Sequence, residues 1–184
     1  MGLGGAALGP TLYLSPLYLN RVLGLTQAQL GKILWIPAVC WEIGYYFWGW
    51  IADRYVRENP RPVRQYVLMT ALALPLAFVT RTSSWIAALA FFSWAMFVAV
   101  GFIVTSLHLS ARAYAHDATG MVAGIGSGSW SAVVAILMLV YGPWFDRHWY
   151  QPTFVSLSLV PILGTALWLW ISKPAKKASA LASA

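Results

Sequence analysis

Acidic residues are nearly missing from this 184-residue chain, which has five Asp and Glu against twelve Lys and Arg, with three His and one Cys. Charged residues make up 9% of it, where a soluble domain carries roughly 25%. A water-facing surface therefore has almost nothing to be built from. The lone Cys40 sits inside an apolar run, which excludes an intrachain disulfide and leaves the redox compartment open. The few acids and histidines are scattered rather than clustered, so the sequence offers no metal site and no cofactor site. It also lacks the grouped His, Asp and Glu that a membrane-embedded enzyme would need. No Lys-Ser/Thr follows the glycines of the run from Gly120 to Gly128, so a phosphate-binding loop is excluded as well. The apolar start from Met1 to Leu8 has no charged leading region and continues past Pro10 and Tyr13, so it does not read as a cleavable signal peptide.

What is present is apolar. Hydrophobic residues make up 60% of the chain and the mean hydropathy is +0.67, a composition whose natural solvent is a bilayer. Eleven Trp and nine Tyr agree, because amphipathic rings favour the membrane–water interface. A spanning helix takes about 20 apolar residues, so the length admits about six. The charged and turn-rich punctuation cuts six segments, at about 2–22, 33–52, 66–80, 85–106, 121–141 and 153–171. The third is short on its own, and Val63 and Arg64 can extend it at the interface. Residues 1–172 read as one six-helix transmembrane bundle, and the Ala/Ser-rich 173–184 as a cytoplasmic, disordered tail. Period-2 alternation is missing, which excludes a β-barrel. Helices remain, since they alone satisfy an open chain's backbone in lipid.

The net charge of +7 is not a nucleic-acid signal, because the basic residues lie between apolar runs. Arg54, Arg57, Arg61, Arg64, Arg112, Lys173, Lys176 and Lys177 fall on one side of the alternating topology, and Arg21, Lys32, Arg81 and Arg147 on the other. Eight against four places both termini in the cytoplasm, in a cell's inner (plasma) membrane. A short echo appears as well. Gly49-Trp-Ile-Ala-Asp53-Arg54 closes the second segment and Gly142-Pro-Trp-Phe-Asp146-Arg147 the fifth. By this topology the two ends lie on opposite membrane faces, as a three-plus-three inverted repeat would place them.

Glu42 stands out as an ionisable group near the middle of the second segment, about 16 Å of helix before Asp53. At that depth a carboxylate is costly unless it meets protein, water or a partner. Trp35, Glu42, Tyr46, Gly49 and Asp53 fall at helical spacing on one face, and the hydroxyl of Tyr45 or Tyr46 could hydrogen-bond the carboxyl group. Glu42 reads either as a proton-coupling or gating residue or as a protonated structural one. In the fourth segment Trp94, Phe97, Gly101, Thr105, His108 and Arg112 share a face, which either lines a cavity or packs against a neighbouring helix. Gly120, Gly124 and Gly128 have the four-residue spacing of close-packed membrane helices. His116 and Asp117 read as a solvated turn.

The stretch GWIADRYVR, from Gly49 to Arg57, resembles the loop signature of the major facilitator superfamily, with Val56 where the second glycine usually stands. Tyr13-Leu-Ser-Pro16-Leu-Tyr18-Leu followed by Gly24-Leu-Thr resembles helix seven of its anion:cation symporter branch, except that Ser15 replaces an expected Trp. Leu34-Trp-Ile-Pro37, Glu42 and Asp53-Arg54 resemble helix eight, and Gly142, Asp146, Tyr150, Pro152 and Phe154 the junction of helices eleven and twelve. The resemblance covers nearly the whole chain, in order. It implies the carboxy-terminal six-helix half of the family fold. The implied activity is secondary active transport of a small organic anion, of sugar acid or carboxylate type, with protons or sodium. Glu42, Tyr13, Tyr45, Tyr46, Trp94 and Thr105 are then the candidate substrate- or proton-coupling residues, and Gly49, Asp53, Arg54 and Arg57 the family loop motif. The expected partners are the bilayer and either an amino-terminal six-helix half or a second copy of this chain, as for a fragment or a split gene. A non-transporting structural or regulatory half is the alternative.

Overall fold

The computed structural model describes residues 2–56, 61–113 and 119–172. Arg57, His116, Asp117 and the tail 173–184 lie outside the described residues. The elements are α1 (Leu8–Arg21), α2 (Gln27–Ile33), α3 (Trp35–Ile51) prolonged by a π-helical turn (Ala52–Val56), α4 (Val63–Ala73) continued by a 3-10 stretch (Leu74–Arg81), α5 (Trp85–Ala113), α6 (Thr119–Asp146) and α7 (Tyr150–Ile171). There is no strand among the described residues.

Among the described residues, four stretches are long and apolar enough to cross a membrane: Val63–Arg81, Trp85–Arg112, Gly120–Asp146 and Tyr150–Ile171. With 14 and 17 residues, α1 and α3 fall short of the about 20 that a span needs. Regular helix begins at Leu8 rather than near Gly2 because Gly2, Gly4 and Gly5 disfavour it. That segment runs in tight turns instead, closed by Ala6 N–H to Leu3 O and Leu8 N–H to Gly5 O. At the far end of α1 the chain reverses through Gly24 at a φ of 71°, whose N–H bonds Asn20 O at 3.2 Å, the left-handed stop that glycine adopts without strain. Thr26 and Gln29 then close a reciprocal capping box that starts α2.

Helix α5 is the axis of the bundle. Its residues from Val98 to Ile103 are buried without a break, the mark of a helix surrounded by others. It packs against α1, α3, α4, α6 and the 3-10 stretch, while α7 packs on α4, α6 and the 3-10 stretch. One core cluster joins α1, α5, α6 and α7 around Tyr18, Phe92, Phe145 and Phe154, with the Tyr18 and Phe154 rings edge to face at 5.3 Å. A second joins α3, α4 and α5 around Trp48, Tyr66, Met69 and Phe102.

The close contacts are made by glycines other than those the four-residue spacing singled out. A Cβ at Gly44 would lie 2.5 Å from a Val100 methyl and 2.9 Å from Phe97 O. At Gly101 it would strike the Trp48 ring at 2.8 Å, and at Gly4 the Phe102 ring at 2.6 Å. At Gly120, Gly124 and Gly128 it would meet nothing within 4 Å. Among the described residues, therefore, nothing packs into the small-residue stripe of α6, which corrects the sequence reading. Of the apolar stretch of α6, 6% is buried, against 67% for α5.

Overpacking a fitted contact costs about 1–3 kcal/mol. Gly44→Ala should lower the thermal midpoint of the purified protein by several degrees, whereas Gly124→Ala should leave it unchanged. Equal midpoints for the two variants would contradict this account of the packing.

Candidate functional site

Helix α3 has two opposite faces. Pro37, Gly44, Trp48 and Ala52 are buried, and half a turn away Trp35, Glu42, Tyr46 and Asp53 are exposed, as a period of 3.6 residues requires. The indole of Trp48 fixes this rotation, donating from Nε1 to Phe97 O at 2.8 Å. Glu42 thus points away from the bundle of this chain and does not enter its interior. The hydrogen bond considered for Tyr45 or Tyr46 is not formed: the Glu42 carboxylate has no hydrogen-bond or ion-pair partner among the described residues. Tyr45 lies beside Trp41, ring centroids 6.2 Å apart, and Tyr46 is 80% exposed. Tyr13 is exposed on α1, with no hydrogen bond or ring contact joining it to Glu42.

The stripe on α5 forms a packed seam over most of its length. Thr105 is fully buried and accepts a hydrogen bond from Gln65 Nε2 at 2.8 Å. Beside it the hydroxyls of Tyr66 and Ser106 meet at 3.0 Å. Gly101 lies under Trp48. Trp94 is 40% exposed, yet its Nε1 donates to Leu72 O at 2.8 Å. The reason lies in α4: a 3-10 turn would pair Leu72 O with the N–H of residue 75, and residue 75 is proline, which has none. The indole supplies the missing donor. Its ring stacks on Phe97 at 5.6 Å, and Phe97 in turn touches Phe47 and Trp48.

Between α3 and α5 runs a groove of about 510 Å³ lined by Ile36, Cys40, Ile43, Leu89, Ser93 and Trp94. The Ser93 hydroxyl is buried there without a partner. No cation lines this groove, so it offers an anion nothing to pair with.

In the loop motif, Asp53 Oδ1 lies 3.5 Å from His108 Nδ1, carried there by the π turn that prolongs α3. Arg54 rests over the Trp50 ring at 5.8 Å. No residue approaches Gly49 closely within this chain. At the other end of the bundle Asp146, the echoed acid, pairs with Arg21 at 3.2 Å. Asp53 thus links the turn after α3 to α5, and Asp146 links the end of α6 to the end of α1. Asp53, His108 and Thr105 share the α3–α4–α5 end, while Glu42, Tyr46 and Tyr13 lie on faces this chain leaves uncovered.

Sequence reasoning missed Gln65 and the anchoring part of Trp48. A glutamine just inside an apolar segment was the available signal for the first. For Trp48, nothing separates an anchoring indole from the other tryptophans by spacing alone.

Comparison with curated proteins and with solved structures returns no match. The sequence profile of the Major Facilitator Superfamily matches residues 1–136, from the N-terminal turns into the middle of α6, taking in Glu42, the loop motif and the α5 seam. The chain belongs to the Major Facilitator Superfamily, a family of membrane transporters rather than enzymes.

Proposed function

We propose that this chain is the carboxy-terminal six-helix half of a secondary active transporter for a small organic anion, in the anion:cation symporter branch. In this reading both termini are cytoplasmic, and α1, α3 and α4 form one triplet of an inverted repeat and α5–α7 the other. The exchange of acidic contacts carries the reading, Asp53 with His108 and Asp146 with Arg21. A pseudo-two-fold axis in the membrane plane would generate that pairing from equivalent helix ends. Family membership supports transport in general, and the anion class follows from the resemblance of the Tyr13–Thr26, Leu34–Arg54 and Gly142–Phe154 segments.

Alternating access needs two bundles around a shared midplane site. The outward faces of α3 and α6 are where a second bundle would sit, either an amino-terminal half or a second copy. Glu42 would then be enclosed between the bundles, at a depth where an ionisable group is functional by default. A proton or sodium ion would neutralise it in one state of the cycle.

Topology is tested by cysteine labelling in a Cys40→Ser background. Cysteines placed at Arg57 and at Arg147 should react with an impermeant reagent from opposite sides of the membrane. Reaction of both from the same side would mean that the orientation is wrong.

Uptake of labelled sugar acids and carboxylates into liposomes should need the chain together with a co-expressed first half, or as a dimer. Glu42→Gln should then reduce gradient-driven uptake about tenfold or more at unchanged expression. Robust uptake by a proven monomer would refute the need for a second bundle. Absence of uptake in every assembly would favour the structural or regulatory half.

A further inference from the structure

The end of α3 and the start of α4 enclose a cleft that the transport reading does not use. One cavity of about 420 Å³ is lined by Trp48, Ile51, Tyr55, Arg64, Gln65 and Leu68. A second of about 370 Å³, sharing Pro62 and Arg64 with the first, is lined also by Arg61. The two form a continuous feature with an apolar inner part and a basic mouth.

Two polar atoms here lack partners among the described residues: Arg61 Nε is buried without one, and so is Gln65 Oε1, on a side chain 8% exposed. The other end of the Gln65 amide is occupied, donating to Thr105. Buried donors and acceptors are normally satisfied, and an unmade bond on a charged group costs more than one on a neutral group. Neither Arg61 nor Arg64 has a carboxylate partner among the described residues.

We infer that this cleft binds the headgroup and upper acyl chain of an anionic phospholipid of the phosphatidylglycerol type. Arg61 and Arg64 take the phosphate, whose oxygens match the guanidinium fork. Ile51, Leu68 and the Trp48 ring receive the chain, and a headgroup hydroxyl supplies the donor that Gln65 Oε1 lacks. The apolar inner part separates this ligand from a soluble phosphate, which would gain nothing from those three side chains. The basic mouth lies where the charge bias of the sequence sets the cytoplasmic leaflet, the one rich in anionic lipid. The inference rests on the chain being a membrane protein and on the orientation proposed above, and stands independently of what it transports.

The test is native mass spectrometry of the full chain released from micelles with equimolar phosphatidylglycerol and phosphatidylcholine. The wild type should retain phosphatidylglycerol about tenfold over phosphatidylcholine. Arg61→Gln/Arg64→Gln should bring the ratio near parity, and Lys32→Gln, in α2 just before the far end of α3, should leave it high. Parity in the wild type, or a full preference in the double variant, would overturn the site. The wild type alone suffices if the double variant does not fold. Its preference should survive millimolar glycerol 1-phosphate, and loss of the preference to that solute would mean a soluble-phosphate site instead.

Discussion

Between apolar helices in an apolar solvent, contact is stabilised by close fit and by the few hydrogen bonds the helices can exchange, because lipid is as good a solvent for leucine as the protein is. In this chain that constraint falls hardest on the meeting of α3 and α5. Trp48 lies across Gly101, bonds Phe97 O and faces the rings of Phe47 and Phe97, while Gly44 admits Val100. With the rotation of α3 held at that seam, the direction of every other side chain on it follows. Glu42 must look outward, and the π turn after Ile51 must carry Asp53 toward His108.

The polar contacts act in the same way. Gln65 with Thr105, Tyr66 with Ser106, and Thr70 with Thr165 at 2.7 Å tie α4 to α5 and α7. Hydrogen bonds of this kind between membrane helices average about 0.6 kcal/mol, so their main effect is on register. A slide of one turn would separate all three pairs together. The pairs of Asp53 and Asp146 sit at helix ends, where they tie together α3 with α5 and α6 with α1 and set which ends meet.

Much of this was legible. The all-helical character follows from the apolar runs, and helical arithmetic puts Trp35, Glu42, Tyr46 and Asp53 on one face, though it does not say that this face points away from the bundle. Spacing could not say which small residues pack within the chain. Gly120, Gly124 and Gly128 show the pattern of a contact face whether the contact is internal or awaits another molecule, and Gly44 and Gly101 show no repeat at all. The stripe on α5 was ambiguous for a related reason. A helix covered on nearly every side has no single polar face to read, so Thr105 and His108 line up in sequence while meeting different neighbours. The partner of Trp94 was illegible because it is a main-chain carbonyl, freed by a proline nineteen positions earlier.

That carbonyl bears on how the chain enters the bilayer. Leu72 O would lose the indole that donates to it if the segment Val63–Arg81 inserted by itself. Trp94 lies in the following span, across a connection of just Thr82, Ser83 and Ser84. The two segments are therefore best delivered to lipid together, as a helical hairpin already joined by its indole. Biogenesis of this chain would then proceed by pairs of helices, with the proline setting which two must travel as one.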